Sequence, residues 1–230
     1  DRGRKRWIWI EDERSRKKWW QYLRPRGEMR RAISNMDNVI VTSRVGNAYA
    51  FCFVPANSVL SDRLVVFTQS SFAFFCILQS RAHETWARFF GSTLKDDFMY
   101  APTDCFETFP FPLNYESTSL LEKAGQEYYQ YRAELMIKYS EGLTKIYNRF
   151  HNPEESTPDI LHLRKLHEAM DRALLDSYGW TDILKSCDFI LDYEDEDEEE
   201  GLVSRKRKPW RYRWPDAIRD EVLARLLALN

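Results

Sequence analysis

Hydrophobic positions change their period twice along this chain. Residues 39–44 and 48–54 are apolar on successive positions around the turn residues Gly46 and Asn47, which predicts two β-strands covered on both faces. Pro55 ends the second, residues 57–62 read as loop, and Leu64–Phe67 predicts another short strand. Ser70 or Ser71 can then cap a helix to about Phe90, with Phe74, Ile77, Leu78, Trp86 and Phe89 at helical spacing and Gly91 as its stop. Residues 91–112, GSTLKDDFMYAPTDCFETFPFP, predict a polar loop, an extended segment and a Pro-Phe-Pro lock that cannot be helical.

Beyond Asn114 the period becomes helical throughout. Leu121, Ala124, Tyr128, Tyr131, Leu135 and Tyr139 predict one long helix closed by Gly142. Asp159 is placed to cap a second, through Ile160, Leu163, Leu166, Met170 and Leu174, with Gly179 closing it. The two should pack antiparallel around the loop that holds NRFHNPEESTP. Pro215 opens a last helix with Ile218, Val222, Leu226 and Leu229 on one face. The pattern predicts an α+β fold in three parts. Residues 1–115 form a small mixed α/β domain, 116–188 an α-helical extension, and 189–230 an acidic linker, a basic run and a final helix.

Composition narrows the class. Eight Trp, twelve Tyr and fourteen Phe in 230 residues imply a ring-rich core or a stacking surface. No apolar run approaches the roughly 20 residues needed to span a bilayer, so no membrane partner is expected; the scattered cysteines suit a reducing cytoplasm. Cys52, Cys76, Cys105 and Cys187 are scattered without a CxxC pair, which argues for core thiols and against a zinc site. The chain starts at Asp1 inside a basic stretch and stops after an apolar run with no Gly or Pro signal. We read it as a piece of a longer polypeptide.

The net charge of -2 conceals strong segregation. Residues 1–31 hold twelve Lys/Arg against five Asp/Glu, residues 192–200 hold eight acidic groups, and residues 205–213 hold six basic ones beside Trp210 and Tyr212. Binding to nucleic acid depends on such local patches, not on the mean. The basic stretch is either a DNA contact or a solvated and aromatic-packed surface. Arg44, Asn47, Ser92, Thr93 and Lys95 lie in predicted loops or at strand ends, where a reader of DNA would place its contacts.

Motifs for catalysis are missing. There is no GxG turn for S-adenosylmethionine, and Asn152-Pro153 is followed by Glu154 where amine methylation needs Pro and an aromatic residue. No Glu-x-Lys or Asp-x-Lys tripeptide, P-loop or HExxH occurs. His162 and His167 are five apart and share one metal poorly, so hydrogen-bonding roles are expected for the histidines and no metal is expected.

Five segments in order carry a resemblance: WWQYLRPRGEMRRAI (19–33), VIVTSRVGNAYAFCFVP (39–55), LVVF (64–67), CILQSRAHETWARFFGST (76–93) and APTDCFETFPFP (101–112). Together they resemble the target-recognition domain of large adenine-N6 DNA methyltransferases. These include the MmeI-like type IIG/IIL restriction–modification enzymes and the BREX and DISARM phage-defence methylases; the TaqI-like specificity domain looks more distant. EGLTKIYNRFHNPEE (141–155), LRKLHEAMDRALLDSYGW (163–180) and WPDAIRDEVLARLLALN (214–230) resemble the helical extension of the same group.

The resemblance implies a non-catalytic fragment that recognises double-stranded DNA for a methyltransferase domain of the same parent chain. Its S-adenosylmethionine would belong to the parent, and no cofactor is expected in the fragment. Expected DNA contacts are Arg24, Arg26, Arg30, Arg31, Arg44, Asn47, Ser92, Thr93 and Lys95, with Arg44 suited to a base edge and Lys95 to a phosphate. Further defence-system subunits are expected partners. The alternative is a protein–protein interaction module of a defence complex.

Overall fold

The computed structural model describes residues 26–46, 48–94, 97–183, 186–191 and 210–230. The chain enters on helix α1 (Gly27–Ala32) and forms strands β1 (Asn38–Ser43), β2 (Phe51–Pro55) and β3 (Leu64–Phe67). They pair antiparallel in the order β2-β1-β3, with Thr42 opposite both Phe51 and Val65. Both faces of this sheet are covered, as successive apolar positions require. Val39, Val41, Ala56 and Leu60 pack with Ile33 and Met29 on the α1 side, while Ile40, Phe51, Val65 and Phe67 face the main core.

The single helix expected from residue 70 to 90 is two helices. Ser71 caps α2 (Phe72–Gln79), accepting from the Phe74 amide at 3.1 Å. Ser80 then adopts an extended conformation, donates to the Ile77 carbonyl at 2.7 Å and accepts from the His83 amide at 3.2 Å. A serine that satisfies a last carbonyl and caps the next turn breaks a helix that hydrophobic spacing alone would carry through. α3 (Arg81–Phe90) follows and ends at Gly91. Phe89 is 58% exposed, so the apolar face stops short of it.

The expected polar loop after Gly91 is a hairpin of β4 (Ser92–Leu94) and β5 (Asp97–Met99), followed by the short α4 (Pro102–Cys105). Phe109, Phe111 and Tyr115 then pack into the core through the Pro-Phe-Pro segment, which is not helical.

α5 (Ser119–Tyr139) closes at Ser140 with a left-handed φ of 52°, not at Gly142, which stands before α6 (Leu143–Phe150). α7 (Pro158–Ser177) follows Thr157 with Pro158 at its first turn. Asp159 lies inside that turn and, instead of capping, accepts from Lys138, Tyr139 and Tyr131 of α5. Gly179, at φ 78°, supplies the left-handed turn beyond α7. α5 and α7 pack together, and part of NRFHNPEESTP is the end of α6, because Ile146, Tyr147 and Phe150 present one buried face.

Two strands were not expected from the pattern: β6 (Asp188–Leu191) pairs antiparallel with β7 (Trp210–Arg213). Residues 192–209, including the acidic run, lie outside the described residues. α8 (Asp216–Leu229) buries Val222 and Leu226 but leaves Leu229 56% exposed.

α2 is the centre of the molecule, with every residue from Ala73 to Gln79 buried between the sheet and α5. Gly125 permits this approach: a Cβ there would lie 2.2 Å from the Phe72 carbonyl oxygen. The α+β class is thus observed, and one apolar core runs from Ile40 in the sheet to Leu226 in α8.

Candidate nucleic-acid interface

The arginines divide into a buried structural set and a surface set. Arg132, 2% exposed, donates to the Phe51 carbonyl at 2.6 Å, Tyr147 Oη at 2.8 Å and Gln79 Oε1 at 3.2 Å. Arg164 donates to the carbonyls of Phe150, Glu155, Arg149 and Asn152. Arg81 pairs with Asp171 at 2.5 Å and donates to His167 Nδ1. Burial pushes the Asp171 carboxyl up, but Arg81, His167 and their hydrogen bonds together outweigh it and hold the group below the ordinary aspartate range. These groups organise the interior and are closed to a ligand.

Two of the surface set, Arg26 and Arg44, meet at the end of the three-stranded sheet where β1 ends and β3 begins. Arg44, one residue beyond β1, is exposed, and its backbone is tied on both sides. Its amide donates to the Arg63 carbonyl at 2.8 Å and its carbonyl accepts from the Tyr100 amide at 2.8 Å. Among the described residues its guanidinium has no hydrogen-bond or ion-pair partner. Arg26 enters the same region with φ 50° and donates through Nη1 to the Ser61 carbonyl at 3.0 Å. Arg30 leans on the Ala56 carbonyl at 3.4 Å, and Arg31 is exposed in the last turn of α1.

The hairpin is fastened beside Arg44. Met99 is the register partner of Ser92 and also bridges Val45, while the Gly46 amide donates to the Phe98 carbonyl at 3.0 Å. Ser92 is exposed, and Thr93 pairs with Phe98 through the backbone. The structure therefore brings Arg26, Arg44, Ser92 and Thr93 to one edge region. Arg24, Asn47, Lys95 and the side chain of Thr93 lie outside what is described. Arg63, exposed and bonded through its carbonyl to Arg44, escaped the sequence reading. Its position between the Asp62 turn and an apolar strand was the available signal.

A cleft of about 430 Å³ borders this cationic region. Arg26 and Arg44 line it together with the five successive residues 65–69, and with Phe74, Pro102, Phe106 and Glu107. Alternate strand residues point to opposite faces, so consecutive lining residues mean that the cleft follows an edge. β3 is indeed an outer strand of its sheet.

His83, His151 and His167 serve the interior, while His162 is exposed on α7. His83 is buried; its Nδ1 lies 3.0 Å from the Leu78 carbonyl and 2.6 Å from Tyr49 Oη, and its Nε2 lies 3.2 Å from Tyr100 Oη. Burial lowers its pKa to about 4. His151 Nδ1 accepts from the Tyr212 amide at 3.0 Å, which joins α6 to β7. Among the described residues no three His, Cys, Asp or Glu side chains converge as a metal site. All four cysteines are free, and burial pushes the Cys187 thiol up to about 12. None is poised as a thiolate. Among the same residues no helix is long and apolar enough to cross a membrane.

The sheet edge, its cationic loop and the hairpin beside it all fall between residues 26 and 99. Residues 27–113 match the family model of the MmeI target recognition domain. The resemblance read from residues 19–112 therefore holds across residues 27–113, which are similar to the target recognition domain of MmeI. DNA methyltransferase A of Bacillus subtilis (strain 168) is 30% identical over 117 residues, which are 50% of this chain and 12% of that protein. The chain thus spans about an eighth of its relative's length. No solved structure matches it.

Proposed function

We propose that this chain is the DNA-recognition part of a larger methyltransferase and reads a duplex sequence for a catalytic domain elsewhere in its parent. The carrying observation is Arg44, an exposed guanidinium without a partner among the described residues, on a backbone fixed from both sides, inside a segment that matches a target-recognition domain. A fixed backbone limits the entropy lost when a side chain engages a base edge. Arg44 would read, and Arg26, Arg31 and Arg63 would neutralise phosphates and set the register. The duplex so held would present an adenine to the parent's catalytic pocket, which would use S-adenosylmethionine to methylate N6. Work of this kind belongs to restriction–modification or phage defence in the cytoplasm, where further subunits would dock.

The test is fluorescence anisotropy of the chain with labelled duplex DNA at several salt concentrations. Each neutralised phosphate should contribute about -0.9 to the log–log slope of affinity against salt. A flat salt response, or capture of a protein partner without DNA contact, would instead favour an interaction module.

A further inference from the structure

The cleft along β3 holds more chemistry than a phosphate clamp uses. Its volume of about 430 Å³ falls in the range of small-ligand sites, roughly 300–1,000 Å³. Two guanidiniums, Arg26 and Arg44, stand at it, and Arg44 has no partner among the described residues. Phe67 and Phe106 supply ring walls, their centroids 5.0 Å apart. Gln69 is oriented: its Oε1 accepts from Tyr115 Oη at 3.0 Å, so its amide nitrogen is left as donor. Among the described residues no further strand pairs with the outer edge of β3, which adds backbone N–H and C=O groups.

Cations, an aromatic wall and a fixed amide donor select for an anionic group joined to a planar ring with acceptors on its edge. We propose that this cleft binds one nucleotide unit, with its phosphate on Arg26 and its base against Phe106, acceptors on the base edge turned to Arg44 and Gln69. The unit is either a free nucleotide or a nucleotide unstacked from a DNA strand. An added peptide strand would use the β3 backbone, but it would need neither the guanidiniums nor the Gln69 amide. The proposal extends the DNA-reading role and rests on it only for the strand-borne source.

The Gln69 side-chain amide gives a direct readout in nitrogen–proton correlation spectra of the 230-residue chain. Four titrants separate the cases: inorganic phosphate, deoxynucleoside 5′-monophosphates, a fully paired duplex, and the same duplex with one mismatch. Saturable shifts of Gln69 with the monophosphates, absent with phosphate alone, support the proposal. A larger shift with the mismatched duplex than with the paired one also supports it and identifies the unstacked strand as source. Gln69→Leu should weaken monophosphate binding roughly fivefold to tenfold, the worth of one hydrogen bond to a ligand, and Arg44→Gln, at an exposed position, should weaken it as well. Salt-dependent binding of the paired duplex should survive Gln69→Leu, so loss of the cleft ligand and loss of DNA reading are separate results. If phosphate alone reproduces the shifts, or no titrant moves Gln69, the cleft is not a nucleotide site and the proposal fails.

Discussion

Arg81 of α3 and Asp171 of α7 meet at 2.5 Å with side chains only 4% and 3% exposed, ninety residues apart in sequence. The contact is doubled, because the Arg81 amide donates to the other Asp171 oxygen at 2.8 Å and so fills one of the open donors in the first turn of α3. It ties the segment that resembles a target-recognition domain to the helices that follow.

Asp171→Ala should therefore destabilise the chain by about 3–5 kcal/mol, since it leaves a buried guanidinium without its charge partner. Equilibrium denaturation in urea measures this. A loss below about 1 kcal/mol would mean that Arg81 relaxes onto the Tyr212 carbonyl, which it already approaches at 3.3 Å.

The same chain should lose stability on acidification, and Asp171 and His83 are two of the groups responsible. The folded pKa of Asp171 lies below its unfolded value, so its contribution is present above the unfolded pKa and is lost as pH falls through the folded one. His83 is folded at about 4 against an ordinary 6.5, so the unfolded chain binds the extra proton between those values and stability falls as pH drops through that window. The His83 part amounts to about 3 kcal/mol. A nuclear magnetic resonance titration of the His83 ring should give a midpoint near 4; one at 6 or above would remove this contribution.

Gly125→Ala should lower stability by about 1–3 kcal/mol through overpacking, because the new methyl meets the Phe72 carbonyl oxygen at the α2–α5 crossing. A thermal melt of the purified variant tests it. An unchanged midpoint would show that the two helices separate at little cost.

Arg44→Ala should cost roughly 1–3 kcal/mol on the recognised duplex and little on scrambled DNA. Arg31→Ala should weaken both about equally and make the salt slope shallower by about one unit. Paired titrations on the two duplexes in the full-length parent decide the matter. Equal losses for Arg44→Ala would make it a phosphate contact.

What the sequence made legible followed from periodicity. Three strands, their two covered faces and the long helices α5 and α7 can be read from apolar spacing, because burial imposes that spacing directly. The break at Ser80 could not, since hydrophobic residues continue on both sides and the hydroxyl alone ends one helix and starts the next. Asp159 looked like a cap because of its type and place, but Lys138 and Tyr139, twenty residues earlier, compete for its carboxylate. At the site, Arg44 was visible as a cation after a strand. Its neighbour Arg63 carried a local mark, a cation between the Asp62 turn and an apolar strand, whereas the donor role of Gln69 depends on where Tyr115 lands, which leaves none.

The burial of α2 on all sides has a consequence for re-engineering specificity. A graft that carried residues 27–113 alone into a foreign methyltransferase would leave behind α5, the cover over Phe75 and Cys76, and with it the Arg132 fork that holds Phe51 and Gln79. The transplanted piece would arrive with an unroofed apolar helix and a prospect of aggregation. On the proposed reading, new specificities are better sought by exchanging single side chains along the sheet edge, at Arg44, Arg63 and Ser92, while the scaffold beneath them stays whole.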